Sequence, residues 1–507
     1  MIDYFKSRQF KVSLIPGISL VENSGDEISL VSEYGHFPIK RVSKGIAQAF
    51  RALARGNRTE EELAKDVLET DGIGGLTSFN YYYAQCVLRC FIQYSIYAGD
   101  LPLMTLMLTV PLHRFDLVEP AAGSRYVVSR FAYCRKQNNV LILETPLFGS
   151  MLSLNDWRSA ALFSILTSPL TQQEITEKAL FIPADCIPGM LKLLNASRVL
   201  CVCSDQSVPN EDENPSMRQW EFQDLLFHSR SRIGRHNNRI GATFRHLGLI
   251  APPPLVKQSS GDAIALYQPE SDQLENGMTL LEAIETRRSI RTFGNEAISL
   301  RQLGEFLYRA ARIRALWNFE FKAPDGTLIE TLQLSNRPYP AGGAIYELEL
   351  YLTIDRCQGL APGLYHYNPL EHVLIRVPAQ EAKLAALLQD ACLSAAISQK
   401  PQVLINLAAR FQRMTWKYAT ISYAATLKNV GVLYQNMYLV ATAMGLAPCA
   451  LGSGNSDLFA EAAGTDYYAE TSVGEFIIGT RSEAEQPIPW AKDRTFVPNT
   501  FLHPQAE

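Results

Sequence analysis

The sequence predicts an α+β protein. A mostly antiparallel sheet flanked by helices fills the second half of the chain, preceded by two smaller helix-triplet domains. Three observations carry this reading. From Gly277 onward, short apolar runs of strand character alternate with helices of 3.6-residue periodicity. Within residues 1–205, one pattern of helix, short helix and helix occurs twice. Between the halves lies SDQSVPNEDENPS, acidic, polar and Pro-containing, which has the texture of a surface linker. At 507 residues the chain has room for two to four domains.

The first domain is placed at residues 1–110. Its helix VSKGIAQAFRALARG is followed by TEEELAKDVLE and then by the apolar helix YYYAQCVLRCFIQYS. The second domain, 111–205, carries the strand-like NNVLILETP, then SLNDWRSAALFSILTS, TQQEITEKAL and ADCIPGMLKLLNASRVL. Thr59–Glu62 and Thr171–Glu174 both have the S/T-x-x-E form of a capping box, which fixes the start of each short helix. A helix triplet flanked by strands is the pattern of a winged helix. Residues 1–205 hold 20 Lys and Arg against 20 Asp and Glu. That balance argues against duplex DNA, whose binding relies on clustered Lys and Arg. A winged helix can instead offer a strand edge and a helix groove to a peptide.

Residues 206–275 are expected as a linker with one Arg/His-rich helix, WEFQDLLFHSRSRIGRHNNRIGATFRH. Two readings stay open for it: an amphipathic helix packing Trp220, Phe222, Leu225 and Leu226, or a collar that contacts an anion. APPPLVK reads as a stiff connector. In the last domain, 276–507, TLLEAIETRR, LRQLGEFLYRAARI and the stretch Gly431–Met444 are predicted helices. YELELYLTI, LYHYNP, HVLIRV, PQVLINLAA and EFIIGT are predicted strands.

Composition excludes several classes. A net charge of −4 gives no global basic field for nucleic acid. The N-terminal MIDYFKSRQFKVSL lacks the apolar core of a signal peptide, and LPLMTLMLTVPL is too short to span a bilayer. Nine Cys are scattered without a C-x-x-C or a His at ligand spacing, so no metal site is expected. Buried reduced thiols in a cytoplasmic protein fit that usage.

Four stretches carry chemistry. TRRSIRTF places Arg287, Arg288, Ser289 and Arg291 at a helix end. Guanidinium forks and a hydroxyl suit a phosphate, although cations also favour helix C-termini without any ligand. NRPYPAGGAIYELELYL is a Pro/Gly loop feeding a strand, where glycine backbone can approach a flat ligand or simply turn. CALGSGN, with Gly452, and IIGTRSE, with Arg481, form a second Gly-rich loop and a late Arg. Finally, Lys417 and Tyr418 are adjacent ionisable groups before an apolar helix. They read either as a solvated charge beside a core anchor or as one proton-transfer unit.

Taken in order, RRSIR, RPYPAGGAIYELELYL, WKY…QNMYLVATAMGLAPCALG and the late GTR resemble the flavin-binding nitroreductase superfamily. Within it they are similar to the azoline (thiazoline/oxazoline) oxidases, and the two-copy N-terminal half is most similar to the cyanobactin thiazoline oxidases. The resemblance implies an FMN enzyme that dimerises through its flavin domain and oxidises a heterocyclised precursor peptide. It implies that Arg287, Arg288, Ser289, Arg291 and Arg481 hold the FMN phosphate and ribityl chain. Pro340, Ala341 and Gly342 would line the flavin, with Gly452 near its far edge. Many relatives carry Ser where this chain has Ala341. The family pattern places the catalytic pair at Lys417 and Tyr418, where the Lys ammonium is expected to favour the Tyr phenolate as base. A general nitro- or quinone reductase needs no N-terminal peptide modules, and a winged-helix regulator with a degenerate flavin domain needs no intact Arg/Ser cluster.

Overall fold

The computed structural model describes residues 10–483 apart from 24–25, 33–34, 57, 112–116, 118–122, 205–207, 259–260 and 271–276. The chain divides into two units, the first ending at Asn238 and the second beginning at Arg239.

In the first unit, β1 (Lys11–Leu14), β2 (Ser19–Glu22), β3 (Glu27–Ser32) and β4 (Gly35–Lys40) precede α1 (Lys44–Arg55). Then come β5 (Arg58–Thr59), α2 (Glu60–Leu88), β6 (Ile92–Ala98) and β7 (Leu101–Leu108). Gly72, at φ 69°, breaks α2 into the short second helix and the third helix of the triplet. The second copy has β8 (Arg125–Val128), β9 (Tyr133–Gln137), β10 (Val140–Glu144), β11 (Ser150–Leu154) and α3 (Trp157–Ile165). It closes with β12 (Leu170–Thr171), α4 (Gln172–Lys178), α5 (Ile187–Ala196) and β13 (Leu200–Val202). Both capping boxes form: the Thr59 and Thr171 side chains accept from the amides of Glu62 and Glu174, whose carboxylates return the contact.

The two copies share one sheet. Its order is β5-β1-β6-β7-β11-β10-β9, and β7 pairs with β11 from Met104↔Leu154 to Leu108↔Ser150. One apolar core accordingly runs from Phe10 to Leu200.

The stretch expected as a linker divides between the units. Its first part forms α6 (Asn210–Glu213) and α7 (Phe222–Arg230) in the first unit. There the Glu211 carboxylate accepts from Ser129 Oγ and the Arg130 amide at 2.7 Å each. Arg230 bonds Tyr133 Oη at 3.0 Å and pairs with Glu144, and Arg235 donates to the Pro146 carbonyl. Those guanidiniums are thus used inside the unit.

The second unit begins with β14 (Gly241–Ala242), β15 (Ala263–Ala265), α8 (Leu280–Thr286), β16 (Ile298–Ser299) and α9 (Leu300–Ala311). A hairpin follows, β17 (Ala315–Lys322) and β18 (Leu328–Asn336), then β19 (Leu348–Ile354), β20 (Cys357–Gln358), β21 (Gly363–Asn368), β22 (Val373–Val377) and α10 (Glu381–Ala395). The unit ends with β23 (Val403–Arg410), α11 (Phe411–Lys417), β24 (Tyr418–Ala419), α12 (Ser422–Ala443), β25 (Leu446–Leu451), α13 (Ser456–Ala463) and β26 (Glu470–Thr480). The main sheet has order β15-β22-β21-β19-β23-β26-β25, with every pairing antiparallel.

Side chains alternate across a strand, so each strand feeds two layers. Leu350, Leu352, Ile405 and Leu407 pack on Leu303 and Phe306 of α9 and Leu433 and Met437 of α12. Tyr351, Leu404 and Ile477 pack on Leu388 of α10 and Phe459 of α13. No helix among the described residues is long and apolar enough to cross a membrane.

Candidate active site

Lys417 is the last residue of α11, and Tyr418 takes up extended backbone at φ −107°, ψ 140°. Successive residues of a helix point about 100° apart; the change of conformation between these two lets them converge. Both side-chain ends lie over Gly343, where an added Cβ would run into Lys417 Nζ and Tyr418 Oη. Gly343 also has φ 60°, a left-handed conformation that disfavours other residues. Lys417 Nζ donates to the Gly343 carbonyl at 3.1 Å. The neighbouring Gly342 amide donates to Asn429 Oδ1 at 3.0 Å, and Asn429 Nδ2 donates to the Glu347 carboxylate at 2.9 and 3.1 Å. Ala341 and Gly342 are half-buried and Pro340 is exposed.

Burial lowers the Lys417 pKa. Burial, and then the charge of Glu347, raises that of Tyr418. The expected phenolate is therefore not favoured. The ammonium is directed at the Gly343 carbonyl, and the nearby carboxylate opposes a second negative charge.

The other cluster lies toward the far end of α12. Arg287 caps the end of α8, with its guanidinium 5.2 Å from the centre of the Tyr438 ring. Ser289 Oγ lies 2.7 Å from Tyr438 Oη, which also accepts from the Ala450 amide at 2.8 Å. Tyr438 can then donate to Ser289, and the Cys449 thiol lies within hydrogen-bond reach of both hydroxyls. Segment 290–294 is tied to the sheet by Ile290 N to the Pro448 carbonyl and Gly294 N to the Thr480 carbonyl. Phe293 bridges Arg481, which brings that late Arg to the same segment. Arg291 is exposed, and Arg288 half-buried. Among the described residues, no carboxylate lies within 4.0 Å of a nitrogen of Arg287 or Arg291. Gly452 is exposed beyond β25, with open space where a Cβ would stand.

Helix α12 connects the two clusters. Asn429 and Tyr438 are nine residues apart, about 13 Å along the axis. Arg287 and Arg291, with no carboxylate against them among the described residues, at one end, and a glycine loop at the other, fit a phosphate-bearing planar group. Sequence reading missed Glu347, Asn429 and Tyr438. The polar side chains of Asn429 and Tyr438 on the buried stripe of α12 were the available signal.

Comparison with known proteins gives three matches in chain order. Residues 6–116 match the ThcOx helix-turn-helix domain, 126–237 the cyanobactin oxidase ThcOx family, and 284–480 the nitroreductase family. Residues 284–480 are thus similar to a nitroreductase-family domain, and the matches before them are those of cyanobactin oxidases. It is an oxidoreductase. A nitroreductase of Methanocaldococcus jannaschii is 28% identical over 197 residues, covering 38% of this chain and 86% of its own. The microcin B17-processing protein McbC of Escherichia coli is 32% identical over 117 residues, covering 22% of this cyanobactin-oxidase-like chain and 42% of its own. One chain of the E. coli microcin synthetase McbBCD complex superposes over 52% of this chain and 92% of its own length, with 21% identity and a TM-score of 0.31.

Proposed function

We propose that this chain is an FMN-dependent azoline oxidase, which converts thiazoline or oxazoline rings of a heterocyclised precursor peptide to thiazoles or oxazoles. The observation that carries the reading is the convergence of Lys417 and Tyr418 over Gly343, beside the 340–342 loop. Peptide processing is supported by the family matches of the N-terminal half and by the name of McbC.

Arg287, Ser289, Arg291 and Arg481, with Arg288 beside them, would hold the phosphate end of FMN. Pro340, Ala341 and Gly342 would face its ring, and Gly452 would lie at the far edge. Aromatising the ring removes a hydride and a proton, and FMN when bound supplies the hydride acceptor. The chain's own task is to take the proton. Burial makes Lys417 the side chain that more readily stands neutral, so it takes the proton at Nζ. Tyr418, kept protonated, donates a hydrogen bond that orients the ring. The Glu347–Asn429 pair fixes the Gly342 amide.

The working form is a homodimer in the cytoplasm. Exposed Leu280, Leu281 and Ile284 on α8, and Tyr423, Leu427 and Val432 on α12, supply an apolar surface of the kind a dimer covers. The deciding experiment is the absorption spectrum of the purified protein, followed by anaerobic mixing with a thiazoline-bearing peptide. Yellow protein whose flavin band bleaches is the expected result. A colourless protein that takes up no added FMN overturns the reading, and reduction only by a nicotinamide points to a general reductase.

A further inference from the structure

Residues 238–283 lie between the two matched regions that end at 237 and begin at 284. The first part of this stretch runs along α11. The Leu255 carbonyl accepts from Arg410, the Pro253 carbonyl from Arg413 at 2.6 Å, and the Ile250 carbonyl from Trp416 Nε1 at 2.6 Å. Closer to the site the contacts become continuous. The Phe244 amide donates to the Lys417 carbonyl at 3.1 Å. Gly241–Ala242 pair with Tyr418–Ala419 as an antiparallel ladder, and Thr420 Oγ1 donates to the Arg239 carbonyl at 2.7 Å.

A seven-residue helix leaves its last carbonyls without partners, and a two-residue strand cannot stand alone. The segment Arg239–Phe244 supplies both deficiencies at once. Its last side chain, Phe244, is wedged edge-on between Phe321 and Trp416, with ring centres 4.9 and 5.9 Å away. Lys417 Nζ lies 5.9 Å from the centre of the same ring. Phe244 and Thr420 both hold left-handed backbone, at φ 48° and 64°, a conformation that persists only when surroundings enforce it.

We propose that the strap Arg239–Phe244 positions the Lys417–Tyr418 pair, with Phe244 as the residue that aims Lys417 and shields it from water. The inference rests on the proton-acceptor reading of Lys417 for its catalytic meaning, not for its geometry. Burial alone lowers Lys417; no charged neighbour contributes to that shift. Tyr418 is the titratable group against it, Glu347 acts on Tyr418, and Arg413 is turned into the carbonyls of Pro253, Gln333 and Ile345.

The test uses the full-length FMN-loaded protein. Lys417 is acylated with acetic anhydride across a pH series and quantified by mass spectrometry of its peptide. In the unaltered protein its midpoint should lie below that of exposed lysines, which titrate near about 10.4. Phe244→Ala should move the midpoint up toward theirs, while Phe244→Leu, which keeps apolar cover, should hold it down. Thr420→Val, which removes only the tie to Arg239, should shift it in the same direction by less, and decides the question if Phe244→Ala does not fold. In single-turnover reduction by a thiazoline peptide, Phe244→Ala should lose rate on the order of 10–100-fold with FMN retained. An unchanged Lys417 midpoint in Phe244→Ala, or in Thr420→Val should that variant alone fold, overturns the proposal, even where Lys417→Ala abolishes oxidation. A shifted midpoint with a fully active Lys417→Ala supports the strap and removes the proton-acceptor reading instead.

Discussion

Lys417→Ala and Tyr418→Phe should both retain FMN, because neither side chain belongs to the Arg287–Ser289–Tyr438 cluster. Lys417→Ala should slow oxidation on the order of 10²–10⁴-fold, the usual contribution of a general base. The double variant should be little worse than the worse single one, since groups acting as a unit are not additive. Proton acceptance needs neutral lysine, so the rate should rise with pH. Burial lowers the Lys417 pKa, so the rise should centre below about 10.4. Tyr418→Phe should keep that rise and Lys417→Ala should lose it, as read from single-turnover flavin reduction against pH; the opposite pattern would make Tyr418 the base. Gly343→Ala isolates geometry from chemistry. Its Cβ would meet the mobile ends of two side chains, which can swing away. Stability should therefore fall only by the left-handed backbone cost, about 1–2 kcal/mol, while turnover falls more steeply. Thermal melting and turnover on the same sample check this, and a variant as fast as its parent would refute it. The adjacency of Lys417 and Tyr418 was legible because it is local. Which of them ionises was not, because Glu347 and Gly343 reach the pair from a loop some seventy residues away.

Strand β19 shows where element-level reading succeeds and where it stops. YELELYLTI is visibly a strand, and alternation puts Glu347 and Glu349 on one face, where carboxylates ordinarily meet solvent. Both are buried instead. Glu349 is held by His366 Nε2 at 3.0 Å and Arg410 at 3.2 Å, from the two strands that flank β19. Burial would raise its pKa; the His366 hydrogen bond and nearby positive charges win and bring it down to about 2. A folded-state pKa below the unfolded value of about 4.3 stabilises the fold above that pH, and the stability is lost as pH falls toward 2. Removing one partner of a buried pair strands the other, at about 3–5 kcal/mol. Glu349→Ala should lower the unfolding free energy read from urea titration by that amount at neutral pH and flatten the acid limb between pH 4 and 2; a loss under about 1 kcal/mol would contradict the buried-pair account. The capping boxes at Thr59 and Thr171 were legible for the opposite reason, since all their partners lie within three residues.

For the whole molecule, the α+β class and the doubled helix triplet were written in periodicity, which short windows contain. The strap was not, because its partners lie about 180 residues downstream of it. A chain beginning at Arg239 should fold, bind FMN and oxidise a small azoline, but act poorly on a full-length precursor. A chain beginning at residue 276 should keep FMN and lose the oxidation, because Phe244 is gone. Flavin content and azoline consumption of the two truncations separate these outcomes; equal activity would show the strap to be dispensable.

The β7–β11 junction has a consequence for how such a protein can change over generations. Two copies that began as separate beads would be free to be lost, reordered or traded one at a time. Once their strands are laced into a single sheet, removing either one exposes the bare flank of the other, an invitation to stick to a stranger. The pair is inherited as a joined couple, and a recombination that swaps the recognition half for another must cut outside both.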